Sequence, residues 1–214
     1  MNTKGGVGKS TIVTHLAGWL KNHKKQKVIL CDCDPQQSSS RWAGQAIPNL
    51  IVHNIQTNGD LTAIIMKKKS DEIIVIDGKA GDGNISRGIL LDSDLVVIPS
   101  SPSLLDFEVT EKQCELVKRI RMVTQSEKPH AIVVLNKIGR DKRSQDMLEN
   151  DFIDDIPVHD YYLKYRSPYS DAAGKGKLVW DLPFFTVAAQ KEMSAFLQAI
   201  LDAGIQASGF KLIT

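Results

Sequence analysis

The first eleven residues, Met1-Asn2-Thr3-Lys4-Gly5-Gly6-Val7-Gly8-Lys9-Ser10-Thr11, limit what this chain can become more than any other stretch. A glycine-rich run ends in Gly8-Lys9-Ser10, and a helical pattern follows at once, with Val13, Leu16, Ala17 and Leu20 on one apolar stripe. Small residues let consecutive backbone N–H groups turn inward and cradle phosphate oxygens at a helix N-terminus. In that geometry Lys9 reaches the outer phosphates and the Ser10 hydroxyl ligates Mg2+. The usual pattern has a glycine five positions before Gly8. Here Thr3 holds that position, and a second lysine, Lys4, stands inside the loop. A lysine so early in the loop is badly placed for its own γ-phosphate, and is placed to reach a nucleotide held by a facing subunit.

Beyond the loop, apolar runs alternate with helical patterns. Lys27 to Asp34 (KVILCDCD), Leu50 to Ile55, Glu72 to Asp77 (EIIVID), Asp94 to Pro99 (DLVVIP), His130 to Asn136 (HAIVVLN) and Pro157 to Tyr162 read as strands. Ser10 to Asn22, Gln37 to Ala43, Leu61 to Lys68, Ile85 to Leu91, Leu105 to Thr124, Ser144 to Asn150 and Thr186 to Ala203 read as helices. Near-continuous Val/Ile/Leu runs spaced by helices are what a parallel sheet covered on both faces requires. The expected fold is therefore α/β, a P-loop NTPase with a mostly parallel twisted sheet. The 214 residues show no repeat, low-complexity tract or linker, so one domain over residues 1–214 is expected.

Composition narrows the partners. The apolar fraction of 42% and net charge of +2 describe a chain that is not globally basic, so any nucleic-acid contact must come from a local patch. No signal-peptide pattern and no apolar run near eighteen residues is found. The odd count of three cysteines fits a reducing compartment, so a cytoplasmic protein is expected. Cys31 and Cys33 share one face of a buried strand, which suits packing.

In open parallel sheets ligands bind beyond the C-terminal strand ends, and the acids of this sequence gather there. Cys31-Asp32-Cys33-Asp34-Pro35-Gln36 leaves a strand into a turn that Pro35 fixes. Ile73 to Asp77 is an apolar run followed by an acid, the arrangement that places a carboxylate near Mg2+ in P-loop enzymes. Gly78, Ala80 and Gly81 leave the next loop free to respond to a γ-phosphate. Asn136 ends a further strand, and its amide can both donate to and accept from adenine.

The run Lys4 to Thr11 resembles the deviant phosphate loop of the ParA/MinD family of ATPases, whose extra lysine crosses a dimer interface. The similarity extends from Thr3 to about Leu201 and is greatest to the small plasmid-type partition ATPases. It implies ATP and Mg2+ as cofactors, bound by Lys4, Gly5, Gly6, Val7, Gly8, Lys9, Ser10 and Thr11, with Asn136 at the base. By the match of residues 32–36 to the family's DxDPQ switch, Asp34 orients the attacking water and helps hold Mg2+ with Ser10 and Asp77, and Asp32 supports the site. Lys4, Lys9 and Asp34 are then the catalytic set. Lys79 and Asp82 depart from the family's loop after the Mg2+ acid, which is usually uncharged at its middle. Pro99 to Phe107 resembles a segment that helps form the family's dimer face. Family members also carry an apolar strand of about six residues ahead of the loop. This sequence begins at the loop, so its start is expected to be trimmed or misassigned; otherwise two neighbouring strands lose their partner.

The function implied is an ATP-dependent homodimer that binds DNA without sequence preference and hydrolyses ATP slowly, with stimulation by a small centromere-binding or adaptor protein. Such a protein positions plasmid or chromosomal cargo and associates with the nucleoid. Backbone-only DNA binding needs cations on one face. Lys164, Arg166, Lys175 and Lys177 are the candidates, with Lys191 adjoining and Lys118, Arg119 and Arg121 as rivals. Alternatives are positioning of a non-DNA cargo (a membrane site, a microcompartment or a chemoreceptor array) and a P-loop metabolic ligase. An iron–sulphur reductase is disfavoured because no cysteine lies between Asp77 and Cys114. Lys4→Ala should leave ATP binding largely intact yet prevent the ATP-dependent dimer. Light scattering with and without ATP checks this, and normal dimerisation would remove Lys4 from the interface.

Overall fold

In the computed structural model, the described residues are 6–79, 83–149 and 156–208. Helix α1 (Lys9–Asn22) starts on the glycine run, and β1 (Lys27–Asp32) follows. Then come α2 (Ser38–Ala46), β2 (Ile51–Asn54), α3 (Asn58–Lys67), β3 (Glu72–Asp77), α4 (Asn84–Asp92), β4 (Leu95–Ser100), α5 (Leu104–Thr124), β5 (His130–Leu135) and α6 (Lys142–Glu149). The chain closes with α7 (Ser167–Gly174), two 3-10 turns (Val179–Asp181 and Phe184–Thr186) and α8 (Val187–Ser208).

These elements divide into two compact units. Of the described residues, one holds 9–79 and 166–197; the other holds 6–8, 83–149, 156–165 and 198–208. In the first, three parallel strands run in the order β2-β1-β3, with Leu30 of β1 opposite Val52 and Val75. In the second, β4 and β5 pair in parallel from Leu95 opposite His130 to Ser100 opposite Leu135. The parallel α/β architecture read from the sequence is thus present, and five of the six expected strands form. The sixth, Pro157 to Tyr162, is not a ladder strand. Isolated parallel bridges at Val133–Val158 and Ile138–Lys164 stand in its place. Pro157 supplies no N–H for a ladder, which suits bridges better than a continuous strand.

The strands differ in burial. β1 is buried at every residue after Lys27, and β5 at every residue after His130. In β3 only Val75 and Asp77 are buried, and in β4 only Ile98 and Ser100. Among the described residues β3 and β4 each pair along one ladder edge. The Leu61 to Lys68 helix begins earlier, at Asn58, because Thr57 caps it. The Thr57 hydroxyl accepts from the Asp60 N–H, and the Asp60 carboxylate accepts from the Thr57 N–H.

Helix α1 packs against α2, β1 and β3. Its buried face is set by Ile12, His15 and Trp19, with Ala17 and Leu20, whereas Val13 and Leu16 of the expected stripe are half-buried. His15 is fully buried. Its Nδ1–H donates to the Thr11 carbonyl at 2.8 Å, and Nε2 accepts the Val179 N–H at 3.1 Å. Three aromatic rings surround it: Trp42 at 5.3 Å, Trp180 at 5.5 Å and Tyr169 at 6.3 Å between centroids. The neutral tautomer is therefore fixed from both sides, and burial pushes the imidazole down to about 4.

A base held neutral in the fold but free to charge in the unfolded chain stabilises above its unfolded value and loses that stability as pH falls. For His15 the window runs from about 6.5 down to about 4. Burial raises the Asp77 carboxyl, so Asp77 contributes with the opposite sign. Urea unfolding at pH 7 and pH 4.5 should show wild-type stability falling by about 2.5 kcal/mol more than that of His15→Phe. Equal losses in the two proteins would mean that His15 titrates in the fold as it does in the unfolded chain.

Candidate nucleotide site

The loop residues divide between the two units at the Gly8–Lys9 peptide bond. On the helix side, Ser10 sits in the first turn of α1, and its Oγ donates to Asp77 Oδ2 at 2.9 Å. Asp77 is the last residue of β3 and is 1% exposed. Removal from water pushes its carboxyl above the usual carboxylate range, while the Ser10 bond and the Lys9 ammonium pull the other way. A buried carboxylate next to a hydroxyl is an oxygen donor set suited to a hard cation.

The turn leaving β1 is held by Asp32, which is buried. Its two oxygens accept the backbone N–H groups of Asp34 at 3.0 Å and Ser40 at 2.9 Å. Asp32 therefore shapes the turn and the start of α2. Asp34 is half-buried, and its Oδ1 accepts the Gln36 N–H at 2.9 Å. The Cys33 N–H donates to the Asp77 carbonyl at 2.9 Å, which ties the ends of β1 and β3 together. Cys31 and Cys33 are free and buried, with both thiols pushed up to about 12 by burial.

On the loop side, Gly8 has φ +95°, and a Cβ there would stand 2.1 Å from Asn136 Nδ2. Only glycine meets both conditions. Asn136, at the end of β5, is buried; its Nδ2 donates to the Val7 carbonyl at 2.7 Å, and its Oδ1 accepts the Lys137 N–H at 2.8 Å. Lys137 Nζ donates to the Gly6 carbonyl at 3.0 Å. Lys137 was not a candidate in the sequence. Of the expected loop set, Gly6, Val7, Gly8, Lys9, Ser10 and Thr11 are described. Lys4 and Gly5 lie outside the described residues, as do Ala80, Gly81 and Asp82 after β3.

A family model described as the CobQ/CobB/MinD/ParA nucleotide binding domain matches residues 1–179. The chain belongs to that family. It is a ParA/MinD-type ATPase. It is 31% identical over 136 residues to a "Protein ParA" of Rhizobium radiobacter, an alignment spanning 62% of this chain and 60% of that protein. It is 24% identical over 210 residues to "Maintenance of carboxysome distribution protein A" of Halothiobacillus neapolitanus, covering 94% of each. Among solved structures, a Cyanothece McdA variant in complex with ATP superimposes with TM-score 0.67 at 14% identity, covering 100% of this chain and 96% of that one. MinD of Pyrococcus horikoshii with Mg-ADP gives 0.62 at 17% identity, covering 98% and 96%. These two likenesses establish the fold.

The residues present fit Mg-ATP. Ser10, in the first turn of α1, and the buried Asp77 carboxylate offer oxygens to a cation at a helix N-terminus. Bound Mg2+ supplies neutralisation of charge on the transferring phosphoryl group.

The expected DNA residues are scattered in character. Lys164, Lys175 and Lys177 are exposed. The Arg166 guanidinium instead pairs with Glu192 at 2.9 Å, with side chains only 32% and 15% exposed. Among the rivals, Arg121 donates twice to the Pro129 carbonyl, at 2.9 and 2.7 Å, and Arg119 pairs with Glu115 at 3.1 Å. Lys9→Ala should abolish ATP binding. Fluorescent-nucleotide titration checks this, and normal binding by that variant would sink the phosphate-loop assignment.

Proposed function

We propose that this chain is a positioning ATPase that dimerises on ATP, binds DNA through its phosphate backbone in that state, and releases on slow hydrolysis to segregate or distribute cargo. The Ser10 hydroxyl on the buried Asp77 carboxylate carries the reading, because it is a Mg2+ pair at the head of a phosphate-loop helix. In this scheme Lys9 and the Gly5–Thr11 loop hold the phosphates, Asp34 orients water and assists Mg2+, and Lys4 acts across the dimer. Few groups are assigned to chemistry, which suits a timer, since phosphoryl transfer needs mainly positioning and charge neutralisation. Support for the dimer face comes from Leu104 and Leu105 at the start of α5, which are 74% and 72% exposed.

Lys175 and Lys177, on the turn after α7, and separately Lys164, are the proposed phosphate contacts, whereas Arg166 is engaged by Glu192. The stimulating partner is a small adaptor protein. No helix among the described residues is long and apolar enough to cross a membrane. A second reading keeps the cycle and changes the cargo. The relative that aligns over 94% of both chains is a carboxysome-distribution protein, which favours a protein microcompartment as cargo.

Binding to random-sequence duplex DNA is measured with ATP, with ADP and without nucleotide, across a salt series. Binding is expected only with ATP and should fade steeply with salt, and Lys175→Ala and Lys177→Ala should each lower the salt slope by about one. Weak binding indifferent to nucleotide would overturn the DNA reading. Asp34→Ala should hold the ATP dimer on DNA with turnover lost, and unchanged turnover would remove Asp34 from catalysis.

A further inference from the structure

Asn136 and Lys137 are joined to the phosphate loop by contacts that a base-recognition role does not require. Asn136 is 5% exposed, and both ends of its amide are engaged, Nδ2 by the Val7 carbonyl and Oδ1 by the Lys137 N–H. The next residue, Lys137, has φ +58°, a left-handed conformation uncommon for a side chain that is not glycine. That conformation goes with the Lys137 N–H folding back onto Asn136 and with the Nζ lying 3.0 Å from the Gly6 carbonyl. Two consecutive loop carbonyls are thus each met by a donor from two consecutive residues.

The platform behind them is fixed. The Asn136 N–H donates to the Ser100 carbonyl at 2.8 Å, the Ile138 N–H to the Leu163 carbonyl at 3.0 Å, and the Tyr165 N–H to the Ile138 carbonyl at 2.9 Å. Gly8 closes against the same amide, with no room for a Cβ.

We infer that Asn136 and Lys137 are positioning residues that brace the phosphate loop from its carbonyl side, holding the Val7 and Gly6 carbonyls away from the anion so that the loop's N–H groups face it before nucleotide arrives. The loop would otherwise present carbonyl oxygens to phosphate in part of its conformations, and ordering it would fall on the binding step. The ligand class is any Mg-triphosphate, independent of the base. This rests on the phosphate-loop reading and extends it to two residues that touch no phosphate.

The test uses the intact chain with Asn136→Ala, Asn136→Asp and Lys137→Ala. Asn136→Asp keeps the acceptor for the Lys137 N–H and removes the donor to Val7. Binding of ATP, GTP and inorganic tripolyphosphate, each with Mg2+, is measured by competition against a labelled ATP. All three ligands should weaken by one common factor, about tenfold for the Asn136 variants, the scale of leaving a buried carbonyl without its donor. Lys137→Ala should show a smaller common loss with the unfolding temperature unchanged, and it carries the test if an Asn136 variant does not fold. Amide hydrogen exchange of the Gly6–Gly8 segment, without nucleotide, should be faster in every folded variant. A loss confined to ATP with tripolyphosphate unchanged overturns the inference in favour of a base contact, as does unaltered exchange in the ligand-free loop. Lys9→Ala separates the two levels: tripolyphosphate binding that survives Lys9→Ala removes the phosphate-loop reading itself. Binding lost there but intact in the Asn136 and Lys137 variants removes the brace alone.

Discussion

A loop that offers its N–H groups to an anion must first dispose of its carbonyls. Backbone donors and acceptors alternate along the chain, so turning one set inward leaves the other needing partners. In this protein Val7 and Gly6 find theirs in the Asn136 amide and the Lys137 ammonium. Glycine at position 8 is the covalent condition, since its φ of +95° and the nearness of Asn136 exclude any side chain. Helix α1 then begins with Ser10 in reach of Asp77. The turn beyond β1 obeys the same accounting, with the Asp32 carboxylate taking the N–H groups of Asp34 and Ser40.

Burial acts in opposite senses on two titratable groups at α1, His15 within it and Asp77 against its first turn. The His15 imidazole is held neutral, pushed down to about 4. The Asp77 carboxyl is pushed up, and Ser10 and Lys9 counter the push. Desolvation disfavours charge in both cases, but only Asp77 has a hydroxyl and an ammonium nearby to offset it. A divalent cation at Asp77 would favour its ionised form further.

Much of this was legible in the sequence because the chemistry is local. The residues from Gly6 to Thr11, the acids at the ends of β1 and β3, and five of the strands announce themselves through spacing and apolar runs. What escaped is non-local. The link between Val7 and Asn136 spans 129 positions, and nothing beside either residue points to the other. Lys137 reaches the Gly6 carbonyl from 131 positions away, with a positive φ that its neighbours in the sequence do not announce. The burial of His15 has no local signal, because the aromatic residues that enclose it come from positions 42, 169 and 180. Helix α7 is short and buries only Tyr169 and Ala172, too little for a helical apolar period to show.

The three tryptophans, Trp19, Trp42 and Trp180, all belong to the unit of residues 9–79 and 166–197. Tryptophan-selective fluorescence therefore watches that unit and not the one that contains Asn136 and Gly6 to Gly8. A single-wavelength melting curve would report the first unit's transition as though it were the whole chain's. Since Trp42 and Trp180 flank His15, acid would dim the signal by protonated-imidazole quenching as well as by unfolding. A far-ultraviolet dichroism trace run alongside separates those contributions, and a lag between the two curves would measure how independently the halves come apart.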